Sequence, residues 1–162
     1  MKKPDFDKTK LPQVMDIIDR AACLMAEKDY TNDNEAKEEL SILHKQLKNI
    51  TGNNKIEITD FQRYWSYTSL EEIAKTALIM PPPKEELSDG QIREIILNLL
   101  ANNSEEEISE AEFDYWIEYL AVNTGLKNLS DYIFYPGLAG LNEDASIEEI
   151  ADKIIIDRIR DK

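Results

Sequence analysis

The chain has 162 residues, 42% hydrophobic and 32% charged, a balance that fits a folded soluble protein and excludes a disordered one. A formal net charge of −14 and a pI near 4.5 make nucleic acid and anionic membrane poor partners and favour a basic protein. No uninterrupted apolar run approaches the roughly 20 residues that span a bilayer, and the Met-Lys-Lys-Pro start leads into polar residues rather than a signal-peptide core, so a cytoplasmic protein is expected.

In chain order, Leu11 to Lys28 carries Leu11, Val14, Ile17, Ile18, Ala21, Ala22, Leu24 and Met25 near a 3.6 period and predicts a helix with one broad buried face. The single cysteine, Cys23, cannot form an internal disulfide, and its apolar neighbours suggest a small core residue. Thr31 to Asn34 is a turn-and-cap cluster. It opens a second helix to about Ile50, with Ala36, Leu40, Leu43, Leu47 and Ile50 at helical spacing, which Gly52-Asn53-Asn54 ends. Thr59 and Asp60 then precede a short aromatic turn of Phe61, Tyr64 and Trp65. Ser69-Leu70-Glu71-Glu72 reads as a capping box before a helix to about Met80.

Pro81-Pro82-Pro83 removes three backbone donors and reads as a short stiff linker. Beyond it, Ser88 caps a helix bearing Ile92, Ile95, Ile96, Leu99 and Leu100. Ser109 opens another, with Phe113, Trp116, Ile117, Leu120 and Ala121, that ends at Thr124-Gly125. Leu129 to Pro136 follows, with Ser130 as its expected N-cap, about one helical turn and a proline stop. So short a helix is unstable alone, and Tyr132, Phe134 and Tyr135 must either pack on neighbours or stay exposed for a partner. Ser146 to Ile150 is a second capping box, opening the final helix. Neither half shows period-two alternation, so the expected class is all-α.

The halves repeat one order. Thr51-Gly52 matches Thr124-Gly125, Ile58 to Phe61 matches Leu129 to Tyr132, and Ser69 to Ala74 matches Ser146 to Ala151. The expected architecture is two tandem four-helix bundle units, each with a short third helix, at residues 1–80 and 84–162, joined by the Pro-rich linker 81–83. Charge is divided unequally between them: Met1 to Met80 holds 12 Lys and Arg against 14 Asp and Glu, and Pro81 to Lys162 holds 7 against 19. Glu105, Glu106, Glu107, Glu110, Asp114 and Glu118 supply a dense carboxylate field around the second helix of the C-terminal unit, suited to fast, salt-sensitive capture of a cationic protein.

On these residues the C-terminal unit, from about Glu86 to Arg158, resembles the colicin and pyocin immunity proteins. These are small four-helix proteins that neutralise a nuclease bacteriocin in the cell that makes it. The sharpest likeness is Ser130-Asp131-Tyr132-Ile133-Phe134-Tyr135-Pro136, against Ser-Asp-Leu-Ile-Tyr-Tyr-Pro on the family's short third helix. A Glu-rich second helix with Thr124 seven residues before Asp131, and a short final helix, are also similar. The resemblance implies a shared toxin contact at Asp131, Phe134 and Tyr135, and selection of the toxin by Phe113, Asp114, Ile117, Glu118 and Ala121, with Glu110 adding to the acidic field. It implies a partner that is the basic nuclease domain of a bacteriocin. Phe134 stands where the family has a tyrosine, the loop Gly137 to Ala145 is this chain's own, and the N-terminal unit has Asp60-Phe61-Gln62-Arg63-Tyr64-Trp65 in the motif's place. Family members usually consist of a single unit.

Other classes find less in the sequence. The lone His44 lies on the polar or boundary side of a helix, and there is no glycine-rich phosphate loop, Cys/His metal spacing or nucleophile triad, so neither an enzyme nor a cofactor is expected. Asn49 to Phe61 superficially resembles a calcium loop, but Asn49, Thr51 and Asn53 are neutral and Asn54 holds the glycine position; Asn103 to Phe113 has a similar cadence. The alternatives are thus a degenerate EF-hand-like protein or a helical adaptor whose Trp65, Trp116 and tyrosines bind a non-toxin partner.

Overall fold

The computed structural model describes residues 3–101 and 107–159, and among these every regular element is helical. The chain divides into two compact units, one of them Pro4–Met80 and the other formed by Pro81–Lys162.

The first unit contains α1 (Leu11–Glu27), α2 (Asn34–Thr51) and α3 (Leu70–Leu78). Pro12 sits in the first turn of α1, where its missing N–H costs nothing. Asp33 caps α2 by accepting from the Ala36 amide at 3.1 Å, and Ser69 caps α3 through the Glu72 amide. α1 packs on both α2 and α3 around Val14, Ile18, Ala21, Leu43, Leu47 and Ala74. Between α2 and α3 the chain makes two 3-10 turns, Ile58–Phe61 and Tyr64–Ser66, rather than a short α-helix. Cys23 is exposed, contrary to the sequence expectation. At about 100° per residue it falls some 200° round the helix from Ala21, outside the arc that Val14, Ile18, Ala21 and Met25 bury.

The second unit contains α4 (Asp89–Leu100), α5 (Glu110–Thr124), the short α6 (Leu129–Phe134) and α7 (Ile147–Asp157). Ser88 with Gln91 and Ser146 with Glu149 form complete capping boxes, which satisfy orphan amides at both starts. α4 lies against α7, and α5 contacts α4 and α6, around Ile92, Ile96, Leu120, Leu129 and Ile154. The segment after the prolines is tied to this unit. Pro83 O accepts from Asn123 Nδ2 at 3.1 Å, the Tyr119 hydroxyl donates to Glu85 at 2.6 Å, and Arg158 donates to Leu87 O at 3.2 Å while pairing with Asp89 at 2.7 Å.

These ties explain why α5 is apolar on more than one side. Trp116 and Leu120 enter the core. Tyr115 and Tyr119 stack at 6.2 Å, each edge-on to Trp116, and Glu85 lies against them. Burial, followed by the bond to Glu85, pushes the Tyr119 phenol up to about 12.

Candidate partner-binding surface

The surface begins with how α6 is held. Leu129 and Ile133, one turn apart, are both buried, and that pair sets the helix start two residues earlier than a Ser130 cap would. Ser130 is therefore inside the helix, and Asn128 takes the N-cap position without a side-chain bond. Tyr132 is half-buried, and its hydroxyl donates to Asp157 Oδ2 at 2.9 Å, with Lys153 donating to the other carboxylate oxygen at 2.9 Å. Lys153, then the Tyr132 bond, hold the Asp157 carboxyl below its usual range, and burial raises the Tyr132 phenol. Two of the motif's four large side chains are thus fixed inward.

The other two face out. Phe134 is 55% exposed and Tyr135 61%. The helix ends at Tyr135, whose amide donates to Asp131 O, and buried Pro136 starts a 3-10 turn, Pro136–Ala139. That turn brings up Leu138, 75% exposed, whose amide donates to Tyr135 O at 2.8 Å. Leu138 adds a third exposed apolar side chain just after the aromatic pair, and sequence reasoning missed it. The signal was an isolated leucine between Gly137 and Gly140 after a proline.

On α5, Glu110, Phe113, Asp114, Ile117, Glu118 and Ala121 fall within one arc of the helix. Glu110, Asp114 and Glu118 are exposed, whereas Phe113, Ile117 and Ala121 are half-buried and pack on the core. Phe113 joins the two groups, its ring centroid 5.8 Å from that of Phe134. Asp131 is half-buried beside a shallow recess of about 250 Å³ that Lys127, Tyr132 and Leu138 also line. Of the expected acidic field, Glu107 is exposed, while Glu105 and Glu106 lie outside the described residues, as does Asn103 of the second calcium-like stretch. The arrangement offers an apolar centre beside carboxylates, chemistry that suits binding a cationic protein surface.

In the first unit, Trp65 (54%) and Tyr67 (61%) are exposed after the aromatic turn, while Tyr64 is buried and donates to Asp19 at 3.0 Å. His44 is half-buried, and its Nε2 lies 2.7 Å from Ile56 O, so that nitrogen carries the hydrogen and the ring serves to hold the loop. Thr51 and Asn53, in the first calcium-like stretch, are engaged in local bonds: Thr51 Oγ1 donates to Leu47 O, and Asn53 Oδ1 accepts from the Lys55 amide. Among the described residues no group of three or more His, Cys, Asp or Glu is gathered as for a metal, and no helix is long and apolar enough to cross a membrane.

Comparison of the chain with protein-family models, with curated proteins and with solved structures gave no match.

Proposed function

We propose that the chain is a stoichiometric protein inhibitor of the bacteriocin-immunity kind, acting without cofactor or turnover in the cytoplasm of the cell that makes the toxin. Its C-terminal unit binds a basic nuclease domain. The observation that carries this reading is the outward display of Phe134 and Tyr135 beside the exposed carboxylates of α5, while Tyr132 and Ile133 of the same short helix are fixed inward. A short helix that merely closed a core would bury its largest rings; this one exposes two of three. Aromatic anchors supply affinity once desolvated, and the acidic face supplies steering and repels the nucleic-acid substrate.

The two units are read as tandem copies of one design, joined at the prolines. Thr51 and Thr124 support this: both are buried, each Oγ1 donates to the carbonyl four residues earlier at 2.7 Å, and each precedes a left-handed glycine, Gly52 or Gly125. Ala74 and Ala151, at matching places in α3 and α7, are both buried as well.

The test is protection. The chain is produced in cells together with a basic nuclease toxin encoded beside it, and survival is scored with and without the chain. Survival only when the chain is present supports the inhibitor. Equal killing, with a non-nuclease partner recovered on the same surface, replaces it with the adaptor reading.

A further inference from the structure

The second helices of the two units end alike, and counting back from their glycine caps puts them in register. Leu43 then matches Trp116, Leu47 matches Leu120 and Thr51 matches Thr124, all buried. On the solvent side the same register inverts the charge. Lys37 matches Glu110, Ser41 matches Asp114 and Lys45 matches Glu118, and all six are exposed. Lys48 adds a half-buried cation to the α2 stripe. No ion pair among the described residues engages Lys37, Lys45 or Lys48. The first unit thus carries a stripe of three lysines on α2, with exposed Glu38 at its edge, in a chain of net charge −14.

We propose that a second copy of the chain occupies this face: α2 of one copy lies antiparallel along α5 of another, with Lys37 against Glu118, Ser41 against Asp114 and Lys45 against Glu110. The spacing fits, because each charged pair is separated by eight residues, about 12 Å along a helix. Antiparallel packing also opposes the two helix dipoles favourably. Charge favours this occupant over a like-to-like contact, since the acidic excess is concentrated in residues 81–162 and residues 1–80 are nearly balanced. The contact is heterologous, so it propagates to open chains or closes as a ring. It stands on charge and spacing, independently of the inhibitor reading, and it covers the same α5 face that a toxin would use.

Sedimentation velocity on the full chain tests it, over concentrations from about 1 to 500 μM in about 50 and 500 mM salt, where screening differs severalfold. Mass is expected to rise with concentration in low salt and return to monomer in high salt. Lys37→Glu with Lys45→Glu, and separately Glu110→Lys with Glu118→Lys, should each give folded monomers by circular dichroism, at least tenfold weaker in association. An equimolar mixture of the two variants should associate again, because opposite faces are restored. A wild-type chain that stays monomeric at the highest concentration in low salt overturns the proposal. So does association that survives both reversals, or a mixture that fails to recover it.

Discussion

Phe113 of α5 and Phe134 of α6 meet with ring centroids 5.8 Å apart, joining the acidic helix to the short aromatic one. Phe113 is half-buried and packs on the core, whereas more than half of Phe134 stays open. One ring is therefore support and the other is display. Replacing Phe113 by Ala should lower stability by about 1–2 kcal/mol, less than for a fully buried ring, and, on the inhibitor reading, weaken binding of the proposed partner through loss of the support under Phe134. Denaturant unfolding and calorimetric binding measure the two effects. Equal stability of the variant would mean that the rings touch without supporting each other.

Tyr135 is the converse case. Its side chain has little to lose in the fold, so Tyr135→Ala should change stability by less than about 0.5 kcal/mol and weaken partner binding by about 2 kcal/mol or more. Unchanged affinity in a folded variant would remove it as an anchor.

Tyr132 and Asp157 tie α6 to α7 at 2.9 Å. Tyr132→Phe should cost about 1 kcal/mol, the scale of one hydrogen bond to a charged, partly solvated group. The Asp157 carboxyl is held low in the fold, so it contributes stability above its unfolded titration range, and that contribution is lost as pH falls through the folded value. Acid unfolding of Asp157→Asn should accordingly show a shallower loss of stability over that range than wild type.

At alkaline pH the sign reverses. The Tyr119 phenol is raised to about 12, above its unfolded value near 10, because burial and Glu85 disfavour the phenolate. The native state keeps its proton where the unfolded chain has lost it, so this contribution is complete below about pH 10 and is lost between about 10 and 12. Tyr119→Phe should flatten the stability loss in that window. Urea melts from pH 9 to 12 give the comparison; identical slopes in both chains would contradict the assignment.

Helix starts were legible in the sequence wherever a serine bonded an amide three residues on, as at Ser69, Ser88, Ser109 and Ser146. Ser130 misled because the burial of Leu129 and Ile133, a tertiary fact, set the start of α6. Cys23 misled because a run of apolar neighbours conceals which side of the helix a residue takes. Of the candidate surface, the acids of α5 were legible as a carboxylate-rich stretch, but the division of the motif into inward Tyr132 and outward Phe134 and Tyr135 depended on Asp157, 25 residues away from Tyr132. Likewise the bonds from Tyr119 and Asn123 to residues 83–85 span more than 30 positions and leave no local signal.

The most direct test of the inhibitor reading is a titration of nuclease cleavage by a basic toxin domain encoded beside this chain, with the full-length protein added in increasing ratio. Cleavage should fall linearly to background at a fixed stoichiometric ratio, and Tyr135→Ala should turn that sharp end point into a shallow curve. Cleavage that persists undiminished under excess protein would contradict the account.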